Sequence, residues 1–276
     1  MPASLDQILS AARQRVSAAR RSVDVVALER AAANHLPRGF ERRLREVSGD
    51  GIAVISELKK ASPSKGLIRA DFEPVGLARE LEKAGAAALS VLTDEQFFQG
   101  SLDYLSQAST ASSLPCLRKD FMVDEFQMVE ARANRADAIL LIVAALAQKE
   151  LVSLAQSARS YQLDVLCEAH DEQELQRAVD AGCSLIGVNS RDLRTFQVSL
   201  DTAFRLVEKI PEGCLAISES GIHTGADLAR LRTAGYDAFL IGESLMKMER
   251  PGKALVELLQ QAEVEAGSSN LQARSS

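Results

Sequence analysis

An α/β chain of the (β/α)8 TIM-barrel class with an N-terminal helical extension is predicted by three features of the sequence. From residue 52 onward, short apolar runs alternate with amphipathic stretches at a repeat of roughly 25 to 30 residues, the rhythm of successive βα units. The segments Lys83-Ala84-Gly85, Asp180-Ala181-Gly182 and Thr233-Ala234-Gly235 echo one another, each ending a helical stretch just before an apolar run, with glycine available for a left-handed cap. Arg135-Ala136-Asp137 holds the equivalent place without its glycine. No GxGxxG turn follows the first apolar run, as a doubly wound open sheet would usually show.

The elements follow in order. Residues 1–50 lie outside the repeat and read as helical, with Leu5, Ile8, Leu9, Ala12 and Val16 on one face, then further helical stretches at 26–33 and 40–47. Such an extension is expected to pack on the barrel and not to form a domain of its own. Strands are expected at 52–56, 88–92, 115–118, 138–143, 164–167, 185–188, 215–218 and 238–241. Between them, 75–84, 125–134, 148–160, 172–181, 200–210 and 226–233 carry the helical period. The barrel domain is expected to span 51–263, and 264–276, rich in Ser, Ala and polar groups, to form a disordered tail.

Composition bounds the function. With 46% apolar and 25% charged residues in 276, the chain has the make-up of a soluble globule, and no run approaches the roughly 20 apolar residues of a membrane span. A net charge of −6 argues against nucleic acid, so an anionic substrate must be attracted locally. The four cysteines, Cys116, Cys167, Cys183 and Cys214, show no CxxC spacing and sit in or beside apolar runs. Neither a zinc site nor a disulfide framework is indicated, and a reducing cytoplasm fits. The N-terminus has no signal core, and Asp6 and Asp24 count against a transit peptide. A monomer or weak homo-oligomer is expected.

Chemistry in a barrel collects at the C-terminal ends of its strands. Those ends carry Glu57 and Lys59, Lys119, Glu168, Asn189 and Arg191, then Glu219 and Ser220. Glu57, Lys119, Glu168 and Glu219 come from odd-numbered strands, so they can share one layer as a charged ring above an apolar core. One such carboxylate alone would read as solvated surface; both signs gathered on one rim suit acid-base work. Glu57 and Lys59, two apart on an extended chain, point to the same side. Ser220-Gly221-Ile222-His223-Thr224-Gly225 and Gly242-Glu243-Ser244 follow the last two strands, the usual place for phosphate in such barrels. Phe97, Phe98 and Phe121 suit an apolar wall. His170 and His223, without a third partner, fall short of a zinc triad.

These residues carry a resemblance. The segments ELKKASPSKG (57–66), LTDEQFFQG (92–100), LRKDF (117–121), AILLI (138–142), EAH (168–170), GVNSRDLRTF (187–196), SESGI (218–222) and IGESLM (241–246) make the chain similar to the indole-3-glycerol phosphate synthase family of tryptophan biosynthesis, from the N-terminal helix to about Leu259. The resemblance implies a barrel enzyme that uses neither metal nor organic cofactor. It would convert 1-(2-carboxyphenylamino)-1-deoxyribulose 5-phosphate to indole-3-glycerol phosphate, releasing carbon dioxide and water. It further implies that Lys119 is the general acid of ring closure and Glu168 the second acid-base group, with Lys59 a possible partner. Glu57 and Glu219 would position the lysines and stabilise charge on the anilino nitrogen, while Asn189 and Arg191 orient substrate and carboxylates. Lys59, Ser62 and the turns at Ser220, Gly221, Gly242, Glu243 and Ser244 would hold phosphate; Pro63, Phe98, Phe121, Leu140, Leu193 and Ile222 would wall the ring. Asp124-Glu125-Phe126-Gln127 departs from the family's common Asp-Pro-Tyr-Gln, and Cys167 and Ala169 stand where valines are common. Two rivals stay open: an aldolase with Lys119 as Schiff base, and a non-catalytic scaffold of the same fold.

Overall fold

The computed structural model describes the backbone of residues 3–193 and 195–273 and the side chains as far as residue 266. Helix α1 (Leu5–Ser22) starts at a capping box in which Ser4 Oγ accepts the Gln7 N–H and Gln7 Oε1 accepts the Ser4 N–H. It buries Ile8, Ala12 and Val16. Asp24 caps α2 (Val25–Ala33), and α3 (Phe40–Asp50) buries Phe40 and Leu44, one turn apart.

Eight parallel strands then close into a barrel: β1 (Ala53–Leu58), β2 (Ala88–Leu92), β3 (Cys116–Lys119), β4 (Ala138–Ile142), β5 (Asp164–Ala169), β6 (Leu185–Asn189), β7 (Leu215–Glu219) and β8 (Ala238–Ile241). Closure is made by β1 on β8, with Ser56 opposite Ile241. Alternation along the strands divides two cores. Ile55, Leu117, Leu140, Leu166, Ile217 and Leu240 fill the interior together with Phe40 and Leu44 of α3. Val54, Val91, Ile139, Val188 and Phe239 face the helices outside.

The outer helices are α4 (Pro74–Lys83), α5 (Leu102–Ala111), α6 (Phe126–Ala133), α7 (Gln148–Ser160), α8 (Glu172–Asp180), α9 (Leu200–Val207), α10 (Gly225–Thr233) and α11 (Pro251–Ala273). Gly85, Gly182 and Gly235 take left-handed φ values of 91°, 71° and 114°, and Arg135 makes the same turn at 66° without a glycine. Among the described residues no helix is long and apolar enough to cross a membrane.

Five strands reach further than the apolar runs, β6 by Asn189 alone. β1, β3, β5 and β7 continue through Glu57, Lys119, Glu168 and Glu219, because neighbouring strands still pair there and the charged side chains find partners inside. A hairpin of Ala61–Ser62 with Gly66–Leu67, and short helices Glu95–Phe98 and Glu243–Met246, shape the loops above them. One expectation is corrected: Cys167 and Cys183, read as unpaired core residues, are joined as a disulfide. They stand 16 residues apart, and only the return of α8 onto the sheet brings them together. The expected tail at 264–276 overlaps α11, and residues 274–276 lie outside the described ones.

Candidate active site

The four charged residues of the odd strands meet at the barrel's upper end. Lys119 Nζ donates to Glu168 Oε2 at 2.8 Å and to Glu219 Oε2 at 3.1 Å, and Lys59 Nζ donates to Glu57 Oε1 at 2.5 Å. Register places Ile142 of β4 opposite Glu168, Gly187 of β6 opposite Glu168 on its other side, and Leu240 of β8 opposite Glu219. Where the odd strands turn these charges inward the even strands offer Ile142, Gly187 and Leu240, and on β6 also the polar Asn189, opposite Glu219.

Burial and charge push these groups apart. Burial alone would lower the Lys119 ammonium, but Glu168, Glu219 and Glu57 outweigh it, and its pKa lies above the ordinary lysine value. Glu168, which burial would raise, is held well below the usual carboxylate range because the Lys119 ammonium is the stronger influence. For Glu219 burial prevails, helped by the charge of Glu168 against that of Lys119, and its carboxyl is pushed up to about 7. Two carboxylates sharing one ammonium therefore hold different protonation states near neutral pH, the condition for dividing acid and base work. A lysine held this strongly protonated lacks the free amine that a Schiff-base nucleophile needs.

All the candidate residues line one cavity of about 560 Å³: Glu57, Lys59, Ser62, Pro63, Phe98, Lys119, Phe121, Leu140, Glu168, Asn189, Arg191, Leu193, Glu219, Ser220, Gly221, Ile222, Gly242, Glu243 and Ser244. Phe98 and Phe121 face each other with ring centroids 6.3 Å apart. At the glycine turns, Ser220 and Gly221 adopt consecutive left-handed conformations, φ 66° and 82°, and a Cβ on Gly221 would press on Val198 and Leu200. Ser244 Oγ donates to Ile222 O, tying the two turns together. Arg191 Nη2 lies 3.3 Å from Glu243 Oε2, and the Arg191 N–H donates to Asn189 Oδ1 at 3.0 Å. The Ser62 hydroxyl is buried and has no partner, as a donor waiting for an anion would be.

Sequence reasoning missed one wall. Ala3, Leu5 and Ile8, at the start of the N-terminal extension, line the same cavity, as do Asp94 and Asp120. Arg15 explains how: its Nη1 donates to Asp94 Oδ2 at 2.6 Å and its Nη2 to Asp120 Oδ1 at 2.7 Å, tethering α1 over the ends of β2 and β3. The apolar face of α1 was visible in the sequence, but nothing in its spacing told which surface it meets. Among the described residues no group of three or more His, Cys, Asp or Glu side chains forms a metal-type cluster.

The sequence matches the family described as "Indole-3-glycerol phosphate synthase" over residues 5–258. It is 54% identical to an indole-3-glycerol phosphate synthase of Koribacter versatilis over 94% of this chain and 100% of that one. A second relative of that name, from a Polaromonas species, is 50% identical over 92% of this chain and 97% of its own length. Among solved structures, thiamine phosphate pyrophosphorylase from Pyrococcus furiosus superposes with a TM-score of 0.60 at 15% identity, covering 82% of this chain and 99% of that one, a likeness of fold alone.

Proposed function

The chain belongs to the indole-3-glycerol phosphate synthase family and is a decarboxylating lyase of tryptophan biosynthesis, and from that premise we propose how its residues divide the reaction. The observation that carries the reading is the Lys119 ammonium between Glu168 and Glu219, in the same cavity as the two glycine turns and the paired phenylalanines.

The substrate would be 1-(2-carboxyphenylamino)-1-deoxyribulose 5-phosphate. Its phosphate would lie against Lys59, the unpartnered Ser62 hydroxyl, Ser220, Ser244 and the backbone at Gly221, Gly242 and Glu243. Its ring would lie among Pro63, Phe98, Phe121, Leu140, Leu193 and Ile222. As the ring carbon bearing the carboxylate attacks the keto carbon, Lys119 would protonate the keto oxygen. Positive charge left on the anilino nitrogen would face Glu57 and Glu219. Breakage of the bond to the carboxylate then releases carbon dioxide and restores the ring. The hydroxyl leaves as water while a neighbouring methylene proton is removed, with Glu168 and Lys59 as the acid-base pair. Two protons are delivered and one recovered, so each turnover consumes one. Asn189 and Arg191 would orient substrate and carboxylates.

The separate parts support a barrel domain at 51–263 that works with the 1–50 extension as one wall of its cavity. One chain supplies every candidate residue, which suits a monomer or weak homo-oligomer. A multiply charged phosphorylated substrate is retained inside a cell, so the enzyme would act in the cytoplasm.

The test is indole fluorescence on adding this substrate to purified protein with EDTA present, against the low background of a chain without Trp. A rising signal is expected; a folded protein that gives none would refute the reading.

A further inference from the structure

His170 takes no part in the mechanism above, yet it is built against it. It follows β5 directly, and its imidazole stands between two carboxylates: Nε2 lies 3.4 Å from Glu168 Oε1, and Nδ1 lies 3.0 Å from Glu174 Oε2. The same Glu174 oxygen accepts the His170 backbone N–H at 2.8 Å. Glu174 is fixed in turn, because it occupies the first turn of α8, where its own N–H donates to the cap residue Asp171. Nε2 is buried and makes no hydrogen bond, and the oxygen of Glu168 that it faces is the one turned away from Lys119. The other oxygen of Glu168 accepts from Lys119. One carboxylate therefore lies between two cation-capable side chains, one from β3 and one from the residue just past the end of its own strand.

We propose that His170, clamped by Glu174, is a positioning residue for Glu168: as an imidazolium it is the second cation on that carboxylate and holds it ionised and aimed at Lys119 after Lys119 has given up its proton. The proposal rests on the acid-base assignment of Lys119 and Glu168 made above. Its physical need is plain. When Lys119 protonates the keto oxygen, Glu168 and Glu219 would face a neutral amine, and without another cation they would draw the proton back. The groups facing this pair are Lys119 from β3, Glu219 from β7, and Glu168 with Glu174 around the imidazole; the two flanking carboxylates outweigh burial, which acts the other way, and raise His170 to about 10. The imidazolium is thus present throughout the neutral range.

Three histidines in the chain make the test direct, since the ring carbon signals of His35, His170 and His223 are separable by NMR and His170 is assigned by its loss in His170→Gln. In the intact protein the His170 ring is expected to stay protonated far above the ordinary histidine range, and in Glu168→Gln its midpoint is expected to fall by a unit or more. His170→Gln is expected to lower kcat about tenfold or more, the equivalent of one pKa unit on the acid, with KM unchanged. His170→Lys should recover most of that loss, and Glu174→Gln, with the ring retained, should lower kcat in the same direction. An ordinary His170 midpoint indifferent to Glu168→Gln, or full kcat in a folded His170→Gln, overturns the proposal. Full activity in Glu168→Gln would instead overturn the acid-base assignment beneath it, while the His170 titration still reports whether the two side chains are coupled.

Discussion

The carboxylate of Glu219 occupies the space that a side chain at residue 187 would need: a Cβ built on Gly187 overlaps Glu219 Oε1. Glycine stands on β6 because its neighbour β7 turns a charged group inward at that level. Gly242 stands in the same relation to Glu57. Gly187→Ala is therefore expected to leave the barrel folded and to push Glu219 away from Lys119. A misplacement of about 1 Å corresponds to roughly a 10²-fold loss of kcat. Steady-state kinetics beside a circular dichroism melt would check it, and an Ala variant of native activity would show that Glu219's position is not needed.

Lys119→Ala is expected to lower kcat by roughly 10²-fold or more with the fold intact, because the keto oxygen loses its proton donor. Borohydride should trap no adduct between substrate and the native Lys119. A trapped adduct would restore the Schiff-base reading.

Glu219 links activity to stability. Its folded pKa of about 7 exceeds its ordinary 4.5, so between those values the native state binds more protons than the unfolded chain, and stability falls as pH rises through that window. Glu219→Gln removes the ionising group. The variant is expected to melt higher than the native protein at pH 8, with the gap closing as pH drops toward about 4.5, and to be catalytically poor. Equal melting temperatures at pH 8 would show that burial does not disfavour this carboxylate.

Arg15→Ala cuts the tether between α1 and the barrel and leaves Asp94 and Asp120, each about 1% exposed, with less opposing charge. Asp120 keeps Arg118 and the Thr93 hydroxyl, and Arg15 itself is partly exposed, so the loss should be about 2 kcal/mol and not the full figure for a buried pair. Because Leu5 and Ile8 form part of the cavity wall, KM is expected to rise more than kcat falls. Urea unfolding and a KM determination separate the two effects.

Ser62→Ala removes a buried hydroxyl that has no hydrogen-bond partner within the protein. Stability should change little, whereas KM should rise about tenfold with kcat nearly unchanged, the signature of a lost ground-state contact. Inorganic phosphate is expected to compete with substrate in the native protein and more weakly in the variant.

Much of this protein was legible before its structure. The alternation of apolar runs with amphipathic stretches gave eight strands in order, because side-chain period and local backbone geometry are coupled within a few residues. The charges at the ends of the odd strands were legible for the same reason, since a carboxylate that closes an apolar run has few structural explanations. What sequence spacing left dark depended on distance. The meeting of α1 with the mouth of the barrel through Arg15, 79 residues from Asp94 and 105 from Asp120, has no local signal. Neither does the Cys167–Cys183 pairing.

The sequence by itself determined the order of elements and the chemical inventory of the rim, through short-range periodicity and turn chemistry. Only the tertiary structure decided which carboxylate shares which lysine, which of them stays ionised and which wall the N-terminal helix supplies. Those outcomes follow from burial and from contacts between residues far apart in the chain, where a few ångströms of separation and the loss of water set the sign of every charge interaction.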